Sequence, residues 1–167
     1  PAGSEWGAHL AWHDGEWIVA SPGESCVETA AVRRSPGQAQ AVWWSEGRSY
    51  AGIPARGILE LESDSWVADA PEGRVFAGAG DRMIWATPTE LRSSSGERWD
   101  LPSVGSLALE SSGRAAALSC DGDCRVMELL EDGAWETAGA AGEGGQVAFW
   151  GGALWWSDPE IADPEGA

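Results

Sequence analysis

The chain has 167 residues, 43% of them hydrophobic, enough to build one domain with a real core and too apolar for a disordered tail. Ten basic residues, all arginine, stand against twenty-seven acidic ones for a net charge of −17. That balance excludes nucleic acid and anionic membrane surfaces as natural partners, and it fits a solvated acidic surface or a basic partner.

Residues 1–8 precede the first recognisable element, and within them Glu5-Trp6 reads as a stray outer strand. No stretch approaches the ~18 apolar residues of a spanning helix, and PAGSEW has no signal pattern, so membrane insertion is not expected. Residues 9–22 then give a strand, an Asp14-Gly15 turn and a second strand closing on Pro22, a strong hairpin signal. The phrase GEWIVASP that ends there returns as GRSYAGIP, DRMIWATP, GRAAALSC and GGALWWSD. Its copies end at positions 22, 54, 88, 120 and 158, in steps of 32, 34, 32 and 38 residues. A near-constant step of this size marks a repeat architecture. The units run over residues 8–37, 38–70, 71–102, 103–141 and 142–167.

A second hairpin follows the first in units two, three and four, and each carries a tryptophan in its last strand: Trp66, Trp99 and Trp135. In unit one, residues 26–34 read as a single strand. Unit five stops after one hairpin, and the tail PEIADPEGA is too polar and proline-rich for another. The early stop reads as a piece of a longer chain, and the Glu5-Trp6 strand is expected to complete unit five. No helical period appears, so the expected fold is all-β: a propeller of five blades, each of up to four short antiparallel strands.

Two features could carry binding or crosslinking. The chain has twelve tryptophans, and several sit at matched positions, Trp12 with Trp44 and Trp85 with Trp155. Matched bulky residues usually fill the space between sheets. Trp12, Trp44, Trp155 and Trp156 are the candidate binding residues. Cys120 and Cys124 flank the corner of unit four and are expected to form a disulfide, which would place the chain in an oxidising compartment: extracellular, periplasmic or at the cell surface. Cys26, which stands where Cys124 does relative to its phrase, would be left unpaired. No second Cys or His pair completes a zinc site.

The stretch WGAHLAWHDGEWIVASPGES resembles the FG-GAP repeat of integrin alpha-chain propellers and their bacterial relatives. Trp6-Gly7 stands for the opening aromatic-glycine pair, and Ala20-Ser21-Pro22, Ile53-Pro54 and Ala86-Thr87-Pro88 stand for the closing corner. The resemblance implies a propeller that binds proteins, and in many members calcium at the first turn of each blade. Here those turns carry too few oxygen side chains for a calcium cage, so no cofactor or metal is expected.

Catalysis is not expected either. His9 and His13 are the only histidines, and neither accompanies a nucleophile-elbow pattern. Two readings remain: a non-catalytic module that binds a protein partner or builds a larger assembly, and a lectin that stacks glycans on tryptophan. A lectin would need exposed tryptophan beside polar side chains.

Overall fold

The computed structural model describes the backbone of His9–His13, Glu16–Ala20, Cys26–Glu28 and Val32–Arg34, and residues 39–45, 48–130 and 132–158 with side chains, apart from the Trp44 side chain. All regular elements among the described residues are β-strands. Unit one holds β1 (His9–His13), β2 (Glu16–Ala20), β3 (Cys26–Glu28) and β4 (Val32–Arg34). Unit two holds β5 (Ala41–Ser45), β6 (Arg48–Ile53), β7 (Gly57–Glu60) and β8 (Ser65–Asp69). Unit three holds β9 (Val75–Ala79), β10 (Arg82–Ala86), β11 (Leu91–Ser93) and β12 (Arg98–Trp99). Unit four holds β13 (Val104–Leu109), β14 (Ala115–Asp121), β15 (Asp123–Leu129) and β16 (Trp135–Ala140), and unit five holds β17 (Val147–Trp150) and β18 (Ala153–Trp156).

Units two, three and four are each a four-stranded antiparallel meander in chain order. Unit five is one hairpin, and unit one is two ladders, β1–β2 and β3–β4, with β3 beside β2. The single strand expected over residues 26–34 is therefore two strands, with Cys26 opposite Arg34. A straight strand of nine residues would run roughly 30 Å, past the ends of its five-residue neighbours, and leave backbone groups unpaired. Folding back lets the segment satisfy itself. Residues 1–8, with the Glu5-Trp6 strand expected to complete unit five, lie outside the described residues.

The first strands of consecutive units are neighbours: β1 with β5, β5 with β9, β9 with β13, and β13 with β17. The cores lie between the sheets. Trp43, Ile58, Phe76, Met83 and Trp85 fill the space between units two and three. Val75, Ile84, Leu91, Leu101, Val104, Ala115, Ala117 and Leu129 fill the next space, and Ala116, Leu118, Val126 and Val147 the one after that. Glycines let the sheets approach. A methyl group at Gly78 would meet the Trp43 indole at 2.0 Å, and one at Gly52 would meet Phe76 at 2.4 Å.

A simple rule governs which residues meet. Pairs in each first hairpin can be counted outward from the turn. In unit three the first and third pairs, Ala79–Arg82 and Ala77–Ile84, share one face, and Ile84 packs toward unit four. The second and fourth, Gly78–Met83 and Phe76–Trp85, face unit two. In unit two, Trp43–Tyr50 is a third pair and packs onward, while Val42–Ala51 is a fourth pair and packs the other way. In units two and three odd pairs face the following unit and even pairs the preceding one, as pleating requires once a two-residue turn is fixed, and the even pairs of unit five likewise face unit four.

This count corrects one sequence expectation. Trp85 sits opposite Phe76 in the fourth pair, and the fourth pair of unit five is Val147–Trp156. The structural counterpart of Trp85 is thus Trp156, not Trp155. Matching the phrases by their last residue slips the register by one, which moves a side chain to the other face. Trp66, Trp99 and Trp135 do share fourth strands, opposite Leu59, Leu91 and Leu129. Their faces differ, however. Trp99 and Trp135 come from neighbouring sheets to meet edge-to-face at 6.1 Å.

Arginine ties the units together at the turn end. Arg48, Arg82 and Arg114 occupy the second position of their phrases. Each pairs with a carboxylate of its own sheet: Arg48 with Glu60 at 3.1 Å, Arg82 with Glu97 at 3.2 Å, and Arg114 with Glu128 at 2.6 Å. Arg82 Nη1 also donates to the Gly113 carbonyl and Arg114 Nη1 to the Gly152 carbonyl, both 2.7 Å away in the next unit's turn. Ser45 Oγ does the same for Gly80 at 2.7 Å. The Arg114 guanidinium further lies 4.9 Å over the Phe149 ring. A planar fork with five donors spread in fixed directions suits a carboxylate and a carbonyl that lie on different sides of it.

Arg114→Ala is expected to lower stability by about 1–2 kcal/mol, since charge-assisted bonds are lost at a half-exposed site. Arg114→Lys should recover little of it, because one ammonium cannot reach both partners. Urea unfolding of the three proteins checks this; equal midpoints would show that the guanidinium contributes nothing.

Candidate functional site

Unit five is a hairpin with Val147 opposite Trp156, Ala148 opposite Trp155, Phe149 opposite Leu154 and Trp150 opposite Ala153. Gly151 and Gly152 form its turn, with φ of 60° and 75°. Two consecutive positive φ angles suit a tight hairpin turn, and glycine adopts them freely. The Arg114 bond to the Gly152 carbonyl holds this turn against unit four.

One face of the hairpin packs on unit four, with Val147 buried, Phe149 and Leu154 half-buried and Trp156 still 42% exposed. Val147, Phe149 and Leu154 pack with Ala116, Leu118 and Val126 of unit four. Trp156 lies over Gly139 of β16, where a methyl group would meet the indole at 2.7 Å. The opposite face carries Ala148, Trp150, Ala153 and Trp155, all exposed. Trp150 is 79% exposed and Trp155 57%. Their ring centroids lie 6.4 Å apart at 52°, and Trp155 Nε1 donates to the Trp150 carbonyl at 3.3 Å. That bond fixes one indole against the other's backbone.

These are the first and third pairs, which face the following unit elsewhere. Their counterparts in unit three include Ile84, which is fully buried, and Ala77, which is 8% exposed. The same position therefore carries a fully buried isoleucine in one unit and a largely exposed tryptophan in another. Burying an exposed tryptophan contributes roughly 2–3 kcal/mol, so this face is the largest unused apolar resource of its sheet.

Of the expected binding residues, Trp155 and Trp156 lie in one strand but on opposite faces, and only Trp155 belongs to the open face. The side chains of Trp12 and Trp44 lie outside the described residues. Trp150 was missed from sequence. Its signal was the alternation Ala148-Phe149-Trp150, read against the turn rather than against the phrase.

Cys120 and Cys124 are disulfide-bonded, with Cα atoms 4.0 Å apart, and sit directly opposite each other in β14 and β15. A crosslink closing so short a loop stabilises by about 2 kcal/mol. It borders a recess of about 620 Å³ lined also by Asp123, Arg125 and Glu143. Another recess of about 440 Å³ lies between Arg82 and Arg114, whose guanidinium groups are already engaged. Hydrogen bonds from Ser95 and Ser93 and the Arg82 charge hold the Glu97 carboxyl below its ordinary range. Burial, aided by Glu60, pushes the Tyr50 phenol up. The Glu97 partners all lie within unit three, and Tyr50 stacks on Trp43 within unit two. Among the described residues no group of three or more His, Cys, Asp or Glu could hold a metal ion.

No known family model matches the chain, and no curated protein sequence matches it significantly.

Proposed function

We propose that the chain is a non-catalytic module of the β-propeller type, built from FG-GAP-like blades, that binds a protein partner as part of an extracellular, periplasmic or cell-surface assembly. The neighbouring first strands and the alternating forward and backward faces support a radial stack of blades. The disulfide suits an oxidising compartment.

The observation that carries the reading is the open face of unit five. Two exposed tryptophans, their rings tilted at 52°, beside two alanines make an apolar surface whose side-chain polar groups are indole N–H donors alone. Tryptophan is the residue most enriched at energetic centres of protein interfaces. A sugar site would couple such rings to polar groups, and the Trp155 N–H is already spent on its neighbour's carbonyl.

A photo-crosslinking residue at Ala153, introduced in the producing cell, tests this. It is expected to yield discrete protein adducts that vanish when Trp150 and Trp155 are changed to serine. Glycan-array binding lost in that same double variant, with no protein adduct, would overturn the reading in favour of a lectin.

A further inference from the structure

The corner of unit four is held together without its sulfur bridge. Cys120 and Cys124 are direct partners in a ladder of seven pairs, which runs from Ala115–Leu129 to Asp121–Asp123. Their backbones are tied on the outer sides as well. Cys120 N–H donates to the Ser103 carbonyl at 3.0 Å, and the Cys124 carbonyl accepts from Ala141 N–H at 3.4 Å. A crosslink between residues only four apart closes a short loop, so it removes little freedom from the unfolded chain. The bridge can therefore open without the corner coming apart.

The sulfurs are also accessible. Both cysteines are half-buried: they pack with Val126 and Ala141 on one side and border the recess of about 620 Å³ on the other. Exposed disulfides are the ones that exchange readily with thiols. The recess has a volume within the ~300–1,000 Å³ of small-molecule sites. Around it stand Arg125, of one sign, and Asp123 and Glu143, of the other, all exposed. No hydrogen bond or ion pair to another described residue engages any of these three side chains. The recess between Arg82 and Arg114 differs, since its guanidinium groups are spent on Glu97 and Glu128. A free guanidinium near free carboxylates complements a molecule that carries both a carboxylate and an ammonium group.

We propose that this recess is a thiol–disulfide exchange site for a small zwitterionic thiol, an amino acid or short peptide whose charged groups bring its sulfur onto the bridge. The incoming thiolate sulfur bonds to one Sγ as the Cys120–Cys124 bond breaks, and the electron pair leaves on the other Sγ, which takes up a proton. A second thiolate then attacks the ligand sulfur of that mixed disulfide. It releases the ligand as its own disulfide, and the remaining Sγ takes up the second proton. Two electrons pass from two ligand thiols to the bridge, so the ligand is the reductant and the bridge the oxidant. The site owes nothing to the open face of unit five or to a protein docked there.

L-Cysteine is the probe, with 3-mercaptopropionate as the relative that lacks the ammonium group and cysteamine as the one that lacks the carboxylate. Each is added to the full chain at 0.15 M salt, where the general charge of −17 is screened beyond about 8 Å. Alkylation and mass spectrometry read the reduction on the tryptic peptide that begins at Ala115, which holds Cys120 and Cys124 and not Cys26. Per thiolate, cysteine is expected to react about 10-fold faster than either relative. Arg125→Gln should remove most of its advantage over cysteamine without slowing cysteamine itself. Glu143→Gln should likewise remove most of its advantage over 3-mercaptopropionate. Both side chains are exposed and unengaged, so neither variant puts folding at risk. The reduced chain should stay folded and melt roughly 5 °C lower. Equal rates per thiolate for the three thiols, or variants that react like the unaltered chain, overturn the proposal. So does a bridge that reacts only after urea unfolds the chain, or a chain that unfolds at 25 °C once reduced, since the disulfide would then be a structural staple.

Discussion

Gly57→Ala is expected to cost more than about 3 kcal/mol, or to prevent accumulation of folded protein, because two penalties fall on one atom. Gly57 has φ of 143°, a conformation that residues with a side chain rarely adopt. A methyl group there would also lie 2.0 Å from the Ala68 carbonyl oxygen. That oxygen belongs to β8, which pairs with β7 through Ile58–Ala68 and Gly57–Asp69. The backbone cannot give way without opening the outer ladder of unit two. Gly122→Ala is the informative control. Gly122 also has positive φ, 88°, but nothing lies within 4 Å of the added methyl. It should lose only about 1 kcal/mol, the cost of the dihedral alone. Urea midpoints for the two variants separate the effects; equal losses would show that the close approach to Ala68 does not matter.

Phe76→Ala should cost about 3–5 kcal/mol, lowering the melting temperature by roughly 10 °C for a domain of this size. Phe76 is 2% exposed and lies against Gly52 on one side and Gly73 on another, where added methyl groups would meet its ring. Glycine cannot fill the space the ring leaves. The backbone around it is also committed, since Phe76 N–H donates to Gln40 Oε1 at 2.8 Å. The cavity would therefore persist. Phe76→Leu keeps much of the volume and should lose less than half as much. Thermal unfolding followed by tryptophan fluorescence measures both, with Trp43 and Trp85 in the same core as reporters. A loss below ~1 kcal/mol would mean that units two and three are not held by this contact.

The repeat, the hairpins and the tryptophans of the fourth strands could be read from sequence because each rests on local chemistry. Asp14-Gly15, Pro54 and Pro88 punctuate the chain wherever they occur. The second hairpin of unit one could not be read, since Thr29-Ala30-Ala31 between β3 and β4 carries no turn signal. The face of each residue was harder. It depends on counting from the turn, and Gly151-Gly152 displaces that count from the one the phrase suggests. Trp155 was selected and Trp150 was not, although both lie on the same face. The arginine contacts went unread because the search followed apolar residues. Arg48, Arg82 and Arg114 recur in plain view, but the carbonyls that Arg82 and Arg114 reach become partners only once the sheets are stacked.

Those contacts bear on how the chain can assemble while it is being made. Each joins a unit to the one after it: Trp43 to Gly78, Arg82 to Gly113, Arg114 to Gly152. None waits for a distant part of the sequence. A unit leaving the ribosome meets a finished surface already presented by its predecessor, and its own first hairpin is enough to engage that surface. Structure can then grow from the amino terminus at the pace of translation, with one apolar face exposed at a time.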